Sequence, residues 1–369
     1  MNNNLIENIA KFIQNLENPD KEFHYYPVLK GSTKDGLNAQ LGLSCYAMKC
    51  YFMLGLWDEL TPIKKKNWTN FINSFQSDSG NFPKNSFIDQ TVLNGYKKKN
   101  LKKGMKNLVK SSINLTGIKN FELEKQKLNK TIVAETKQAI STLYMVGQKN
   151  SLPYVNFPQT ESEINDYLDS FNWSNPWNAG AQFASLCVFA STQLFDKNRD
   201  DAIKFLVNYK NKKVDLATGL YFDNELPRSV ESINGAMKVL TGLEWINLDI
   251  HHPEKIIEYC LQNEPNNEGC DLVDIIYVLN RCSKQTDYRK TEIIKYFDKI
   301  ENLIMQHFYK DEGGFSYFIN KSQTHYYGLK ISNGLRTADI HGTTLLVWAL
   351  SLISDLKNTE KNIFKIIKA

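Results

Sequence analysis

Apolar residues recur along this chain in two alternating patterns. In the first they line one helical face: Leu5, Ile6, Ile9, Phe12, Ile13 and Leu16; Trp68, Phe71, Ile72 and Phe75; Ile164, Tyr167, Leu168 and Phe171; Ala202, Phe205, Leu206 and Tyr209; Ile256, Ile257, Cys260 and Leu261; Ile293, Phe297, Ile300, Ile304 and Phe308. Such stripes predict amphipathic helices with one face to bury. In the second pattern, stretches at about 37–56, 131–147, 177–195, 231–246, 271–282 and 344–353 are apolar on nearly every side. A helix apolar all round has to be covered all round. The two types alternate six times. An inner ring of apolar helices wrapped by an outer ring of amphipathic ones buries both. The predicted fold is therefore all-α, an (α/α)6 toroid in one domain spanning residues 1–369. An open superhelix, the alternative arrangement of such hairpins, leaves one face of each inner helix wet.

Local signals punctuate this rhythm. Thr61-Pro62 predicts a capped helix start, and Thr160 with Glu163 a capping box. Gly-aromatic turns at Gly80-Asn81-Phe82, Gly219-Leu220-Tyr221 and Gly313-Gly314-Phe315 mark tight returns between helices. Residues of about 83–130 break the pattern with short apolar runs and a lysine cluster, which predicts an insertion, and 359–368 predicts a short closing helix.

Charge and cysteine content narrow the picture. The formal net charge of +5 is local, with Lys97, Lys98, Lys99, Lys102, Lys103, Lys106 and Lys110 crowding one segment. Aromatics that would stack bases are lacking there apart from Tyr96, so no nucleic-acid partner is expected. The cluster reads as a solvated helix face, or as a patch for weak contact with anionic surfaces. Six cysteines form no CxxC pair and fall largely in apolar helices, as free thiols do in a reducing compartment. The first residues lack the basic and apolar regions of a secretory signal, and no stretch reaches the roughly 18 apolar residues of a membrane span. The expected location is the cytoplasm.

The run from Leu43 to Leu60, which ends Leu54-Gly55-Leu56-Trp57-Asp58, continues through Phe71-Ile72-Asn73-Ser74-Phe75-Gln76 to Gly80-Asn81-Phe82. It resembles the repeat of protein prenyltransferase β subunits and squalene-type cyclases, and Ile257–Gln262 with Glu268-Gly269 and Glu312–Phe315 echo it. The resemblance implies the terpenoid cyclase and prenyltransferase toroid superfamily. Its chemistry is not carried over. Where zinc prenyltransferases place Asp-x-Cys-Tyr, this chain has Asp274-Ile275-Ile276-Tyr277, with no thiolate at Ile276, and His341 is the one match to the histidine ligand. The Asp-x-Asp-Asp acid of the cyclases is absent too. No metal and no cofactor are expected.

Candidate chemistry gathers at the starts of the apolar segments. Asp339-Ile340-His341 follows a loop holding His325, Tyr326 and Arg336, the densest polar constellation of the chain. A histidine beside a carboxylate serves as general acid or base, and a tyrosine can protonate a leaving oxygen. His341, Asp339, His325 and Tyr326 are the expected catalytic residues. Trp177, Asn178, Glu231, Asn234, Asp274 and Arg336 are the expected contacts to a small-molecule or glycan substrate. Helix starts also favour carboxylates as caps, so each acid has a structural reading as well. Three functions fit: a toroid enzyme of the terpenoid cyclase class with a metal-free polar-aromatic cavity, a carbohydrate-active lyase or hydrolase on an acidic glycan, or a non-catalytic binding scaffold.

Overall fold

The computed structural model describes residues 3–78, 82–102, 124–357 and 364–368, and the chain is mostly helical. In chain order the elements are α1 (Asn3–Asn15), α2 (Lys34–Asn38), α3 (Leu41–Met53), α4 (Leu56–Glu59), α5 (Pro62–Asn73), β1 (Gln76–Ser77), β2 (Ser86–Phe87), α6 (Gln90–Lys102) and α7 (Glu124–Met145). There follow α8 (Glu161–Asp169), α9 (Pro176–Gln193), α10 (Asp196–Lys213), α11 (Ser229–Trp245), α12 (Pro253–Leu261), α13 (Gly269–Ser283) and α14 (Lys290–Met305). The last elements are β3 (Phe308–Tyr309), β4 (Gly314–Phe315), β5 (His325–Tyr326), β6 (Leu329–Lys330) and α15 (Ile340–Leu356). The strands pair as three short antiparallel ribbons, β1 with β2, β3 with β4 and β5 with β6.

The apolar segments became α3, α7, α9, α11, α13 and α15. Packing links them in order, α3 on α7, α7 on α9, α9 on α11, α11 on α13, α13 on α15, and α15 back on α3. The striped helices sit against these: α1 and α5 on α3, α8 and α10 on α9, α12 on α13, and α14 on α13 and α15. One hydrophobic cluster runs through them from Ile9 to Ile367. The α9–α11 pair is the closest, because Gly180 and Gly235 face each other's backbones. A Cβ on Gly180 would lie 2.9 Å from the Gly235 carbonyl oxygen, and one on Gly235 2.6 Å from Pro176. The Gly-Gly turn before β4 is set the same way: Gly313 has φ +83°, and a side chain there would meet the backbone of α1 at Asn8.

The caps read from sequence are present. Thr61 accepts from Lys64 N–H at 3.2 Å, and Thr160 and Glu163 form the reciprocal box. Four boundaries differ. The helix expected at about 37–56 is broken between α2 and α3, because the Asp89 carboxylate takes the Gln40 and Leu41 N–H groups at 2.7 and 3.1 Å. That cap comes from 48 residues away, and no local signal announces it. The helix expected from Thr131 begins at Glu124, because the charged run before Thr131 consists of good helix formers. Residues read as an insertion therefore supply β2, α6 and the first turns of α7, and α6 packs on α7. Phe364–Lys368 is irregular rather than helical, with Lys365 N–H bonded to the Met53 carbonyl at 2.8 Å. Ser79–Asn81, residues 103–123 and residues 358–363 lie outside the described residues, as do Lys103, Lys106 and Lys110 and the side chains of Lys98, Lys99 and Lys102. Lys97 is exposed. No helix among the described residues is long and apolar enough to cross a membrane.

Candidate functional site

The start of α15 is held by Asp339. Its carboxylate accepts three backbone N–H groups, from Gly342 at 2.7 Å, Tyr317 at 2.7 Å and Gln323 at 3.0 Å. Burial raises its pKa to about 6 against the pull of these donors. The side chain is sealed, and what it does is join β4, the following loop and α15 at one point. The nearby Glu312 does similar work, accepting from Thr337 Oγ1 and Ala338 N–H.

Two residues on, His341 faces the opposite way. Its ring lies between Tyr46 of α3 and Tyr317, with centroids 4.6 and 5.4 Å away and interplanar angles of 19° and 24°. Nδ1 bonds Gln323 Oε1 at 2.8 Å, so with the amide oxygen as acceptor Nδ1 carries the hydrogen and Nε2 keeps a free lone pair. Burial, and then the charges of Lys49 and Lys238, depress its pKa to about 3. The imidazole is neutral at any physiological pH.

Beside this stack, the first turns of α11 and α13 open on a pocket of about 660 Å³ whose lining includes Trp177, Glu231, Asn234, Cys270, Asp271 and Tyr317. Asp271 is fixed by amide donors from Asn234 at 2.8 Å and Asn266 at 2.9 Å. Trp177 stands exposed on the rim, and Arg228 lies 3.5 Å from Glu231. Burial pushes the Cys270 thiol up to about 12, which makes it a poor nucleophile.

Farther along the helices, charged groups on α3, α7, α11 and α13 act on one another. Lys49 (α3), Lys137 (α7) and Lys238 (α11) are half-buried, and none has a hydrogen bond or ion pair among the described residues. They are near enough to act on one another. Burial and then the charge of Lys238 lower the Lys49 pKa; burial, Lys49 and Lys238 together bring Lys137 to about 7. Asp274, one turn below Cys270 on α13, has one carboxylate oxygen without a partner. Burial raises it to about 7, opposed by Lys238. A lone ammonium in a dry interior costs several kcal/mol, and the partial exposure of these amines relieves part of that cost. At the far ends of the same helices Tyr277 donates to Glu244 at 2.7 Å, Arg281 lies 3.5 Å from Glu244, and Lys368 sits over the Trp245 ring at 4.8 Å.

The residues singled out from sequence divide into two groups. Glu231, Asn234 and Trp177 share the pocket, Asn178 is exposed beside Trp177, Asp274 lies below, and His341 borders the same end. Asp339 is the sealed anchor described above. Tyr326 is buried, with its hydroxyl against Gly42, edge-on to Tyr46 at 6.2 Å, and it neighbours buried Glu135, whose carboxylate it and the Asp89 backbone act on. Burial holds Glu135 well above the usual carboxylate range. His325 is exposed and bonds Thr324, and Arg336 is exposed and bonds Asn320 at 3.0 Å. These two are not part of the cluster.

The lysines and Tyr46 escaped the sequence reading. One signal was there: Ala47-Met48-Lys49 and Ala236-Met237-Lys238 place a single lysine at matching positions of two otherwise apolar helices. Among the described residues no group of three or more His, Cys, Asp and Glu side chains is placed to hold a metal ion. No protein-family model, curated protein or solved structure matches this chain.

Proposed function

We propose that the six apolar helices form the inner ring of a closed α/α toroid, and that the protein is an enzyme drawing an anionic substrate, an acidic glycan, into its axis. The cyclic packing order, α3 through α15 and back to α3, supports the ring. The observation that carries the function is that Lys49, Lys137 and Lys238 lie near enough for their charges to act on one another with no hydrogen bond or ion pair among the described residues, together with a pocket lined by Trp177 and Tyr317. Flat aromatic faces suit sugar rings, and unpaired ammonium groups suit their carboxylates. An isoprenoid needs an apolar wall, and the axis bears charges instead, so the terpenoid reading is the weaker one. The free cysteines fit the expected cytoplasmic location.

The arrangement suits β-elimination. Ammonium groups that neutralise a uronate carboxylate acidify the adjacent C–H bond. His341 Nε2 takes that proton, and its basicity rises on binding because the anion offsets the lysine charges that depress it. As the C=C bond forms and the C–O bond breaks, the leaving oxygen needs a proton, and Asp274, half protonated near pH 7, supplies it.

A panel of acidic polysaccharides, read by the ultraviolet absorbance of an unsaturated uronate, tests the reading. Product that appears with wild type and is lost in His341→Ala supports it. New reducing ends without absorbance would make the enzyme a hydrolase, and binding without turnover would make it a scaffold. Release of diphosphate from an isoprenoid diphosphate, with no response to any glycan, would overturn the proposal.

A further inference from the structure

The pocket at the starts of α9, α11 and α13 has a charge balance of its own. Its lining holds three carboxylates, Glu231, Glu268 and Asp271, and one cation, Arg228, which is exposed and already lies 3.5 Å from Glu231. Asp271 is the fixed member, with one oxygen bonded by the Asn234 amide at 2.8 Å and the other by the Asn266 amide at 2.9 Å. An amide that turns its nitrogen to a carboxylate carries its oxygen on the other side, so these residues make the wall rich in acceptors. Glu268 stands half-buried beside Asp271, and burial together with the Asp271 charge raises its pKa.

A further acceptor lies under the floor. Asp274 is one turn below Cys270 on the same face of α13, is 1% exposed, and has no partner for Oδ2. Side chains of a helix lean toward its N-terminus, so that oxygen is turned toward Cys270 and the pocket. Lys238, the cation that acts on Asp274, is not part of the lining.

We propose that this pocket binds a sugar ring carrying a free primary ammonium group, the ring against Trp177 and the ammonium at Glu268 and Asp271. The volume of about 660 Å³ is that of a small-ligand pocket, and exposed Trp177 offers a flat apolar face at its rim. An ammonium brings donors and a positive charge to a wall with an excess of acceptors and of negative charge. A neutral ring meets the acceptors and leaves the charge unmet. That the occupant is a sugar rests on the glycan reading; that it carries an ammonium rests on this lining alone.

Titration calorimetry of the full-length protein with glucosamine, glucose and N-acetylglucosamine at about pH 6.5, where the amine is charged, tests the proposal. Glucosamine is expected to bind at least about tenfold more tightly than the two neutral sugars. Asp271→Asn should remove most of that preference, and Glu268→Gln, at a partly exposed side chain, should reduce it. Trp177→Ala should weaken all three sugars alike, by about two- to tenfold. Equal affinity for glucosamine and glucose, no binding of glucosamine, or a preference undiminished in both carboxylate variants would overturn the proposal. The comparison of sugars is made on wild type, so it holds even if Asp271→Asn fails to fold. Turnover of a uronate polymer without a glucosamine preference would strike this subsite alone, and a glucosamine preference without turnover of any acidic glycan would strike the lyase reading alone.

Discussion

Asp339 and His341 are two residues apart at one helix start, and they differ in one respect that matters. Asp339 has its charge met by three backbone donors and faces no open space. His341 is fixed on one side by Gln323, Tyr46 and Tyr317 and keeps Nε2 free. The same contrast separates the sealed loop from the neighbouring helices, where Lys49, Lys137 and Lys238 act on one another without a hydrogen bond or ion pair among the described residues and Asp274 has one oxygen unmatched. Buried polar groups are ordinarily satisfied. A set that is not marks where a ligand belongs, and a fully satisfied carboxylate marks where the fold is fastened.

The contrast predicts opposite behaviour of neighbouring substitutions. Asp339→Ala leaves three backbone donors without their acceptor and should cost about 3–5 kcal/mol, read as a large drop in Tm or urea midpoint. His341→Ala should lose at least about 100-fold in turnover and no more than about 1.5 kcal/mol in stability. If the two variants gave equal losses of stability, the division between fastening and function would be wrong.

The axis should respond in the other direction. Lys137→Met removes an unpaired ammonium from a partly buried site and should raise the Tm of the ligand-free protein by about 2–5 °C at pH 7. Its pH dependence has a definite sign. A lysine whose folded pKa falls to about 7 binds fewer protons folded than unfolded between pH 7 and its unfolded value. Its contribution to stability is therefore fully present above that unfolded value and is lost as pH falls through 7. Asp274, raised to about 7, works oppositely: its contribution is full below the unfolded carboxylate value and is lost as pH rises through 7. Unfolding curves between pH 4 and 10 should thus lose the alkaline rise in Lys137→Met and the neutral fall in Asp274→Asn. The smallest effects are expected at His325→Ala and Arg336→Ala, exposed and outside the cluster, within about 0.5 kcal/mol and without change in activity.

Much of the helical plan was legible because burial writes itself into periodicity. The stripes on α1, α5 and α14 and the all-apolar runs of α9, α11 and α15 each state how much of a helix must be covered. What was not legible depended on contacts distant in sequence. Asp89 caps α3 from 48 residues away, and the polar opening of α7 reads as a break because its charged residues are also good helix formers. The site divides similarly. His341, Asn234 and Asp274 were visible as polar residues at the starts of apolar helices. Asp339 looked chemically like a catalytic acid, and only the three donors around it show a cap. Lys49, Lys137 and Lys238 were each one ordinary lysine until three helices brought their charges near enough to act on one another.

The most direct test of the anionic-substrate account is the thermal shift of wild type and a Lys49→Met/Lys238→Met double variant with an oligogalacturonate and its neutral methyl ester. The account predicts that the acid raises the wild-type Tm, by an amount equivalent to about 2.7 kcal/mol at a hundredfold excess over Kd, that the ester does not, and that the double variant responds to neither. An equal shift with acid and ester, or an undiminished shift in the double variant, would contradict it.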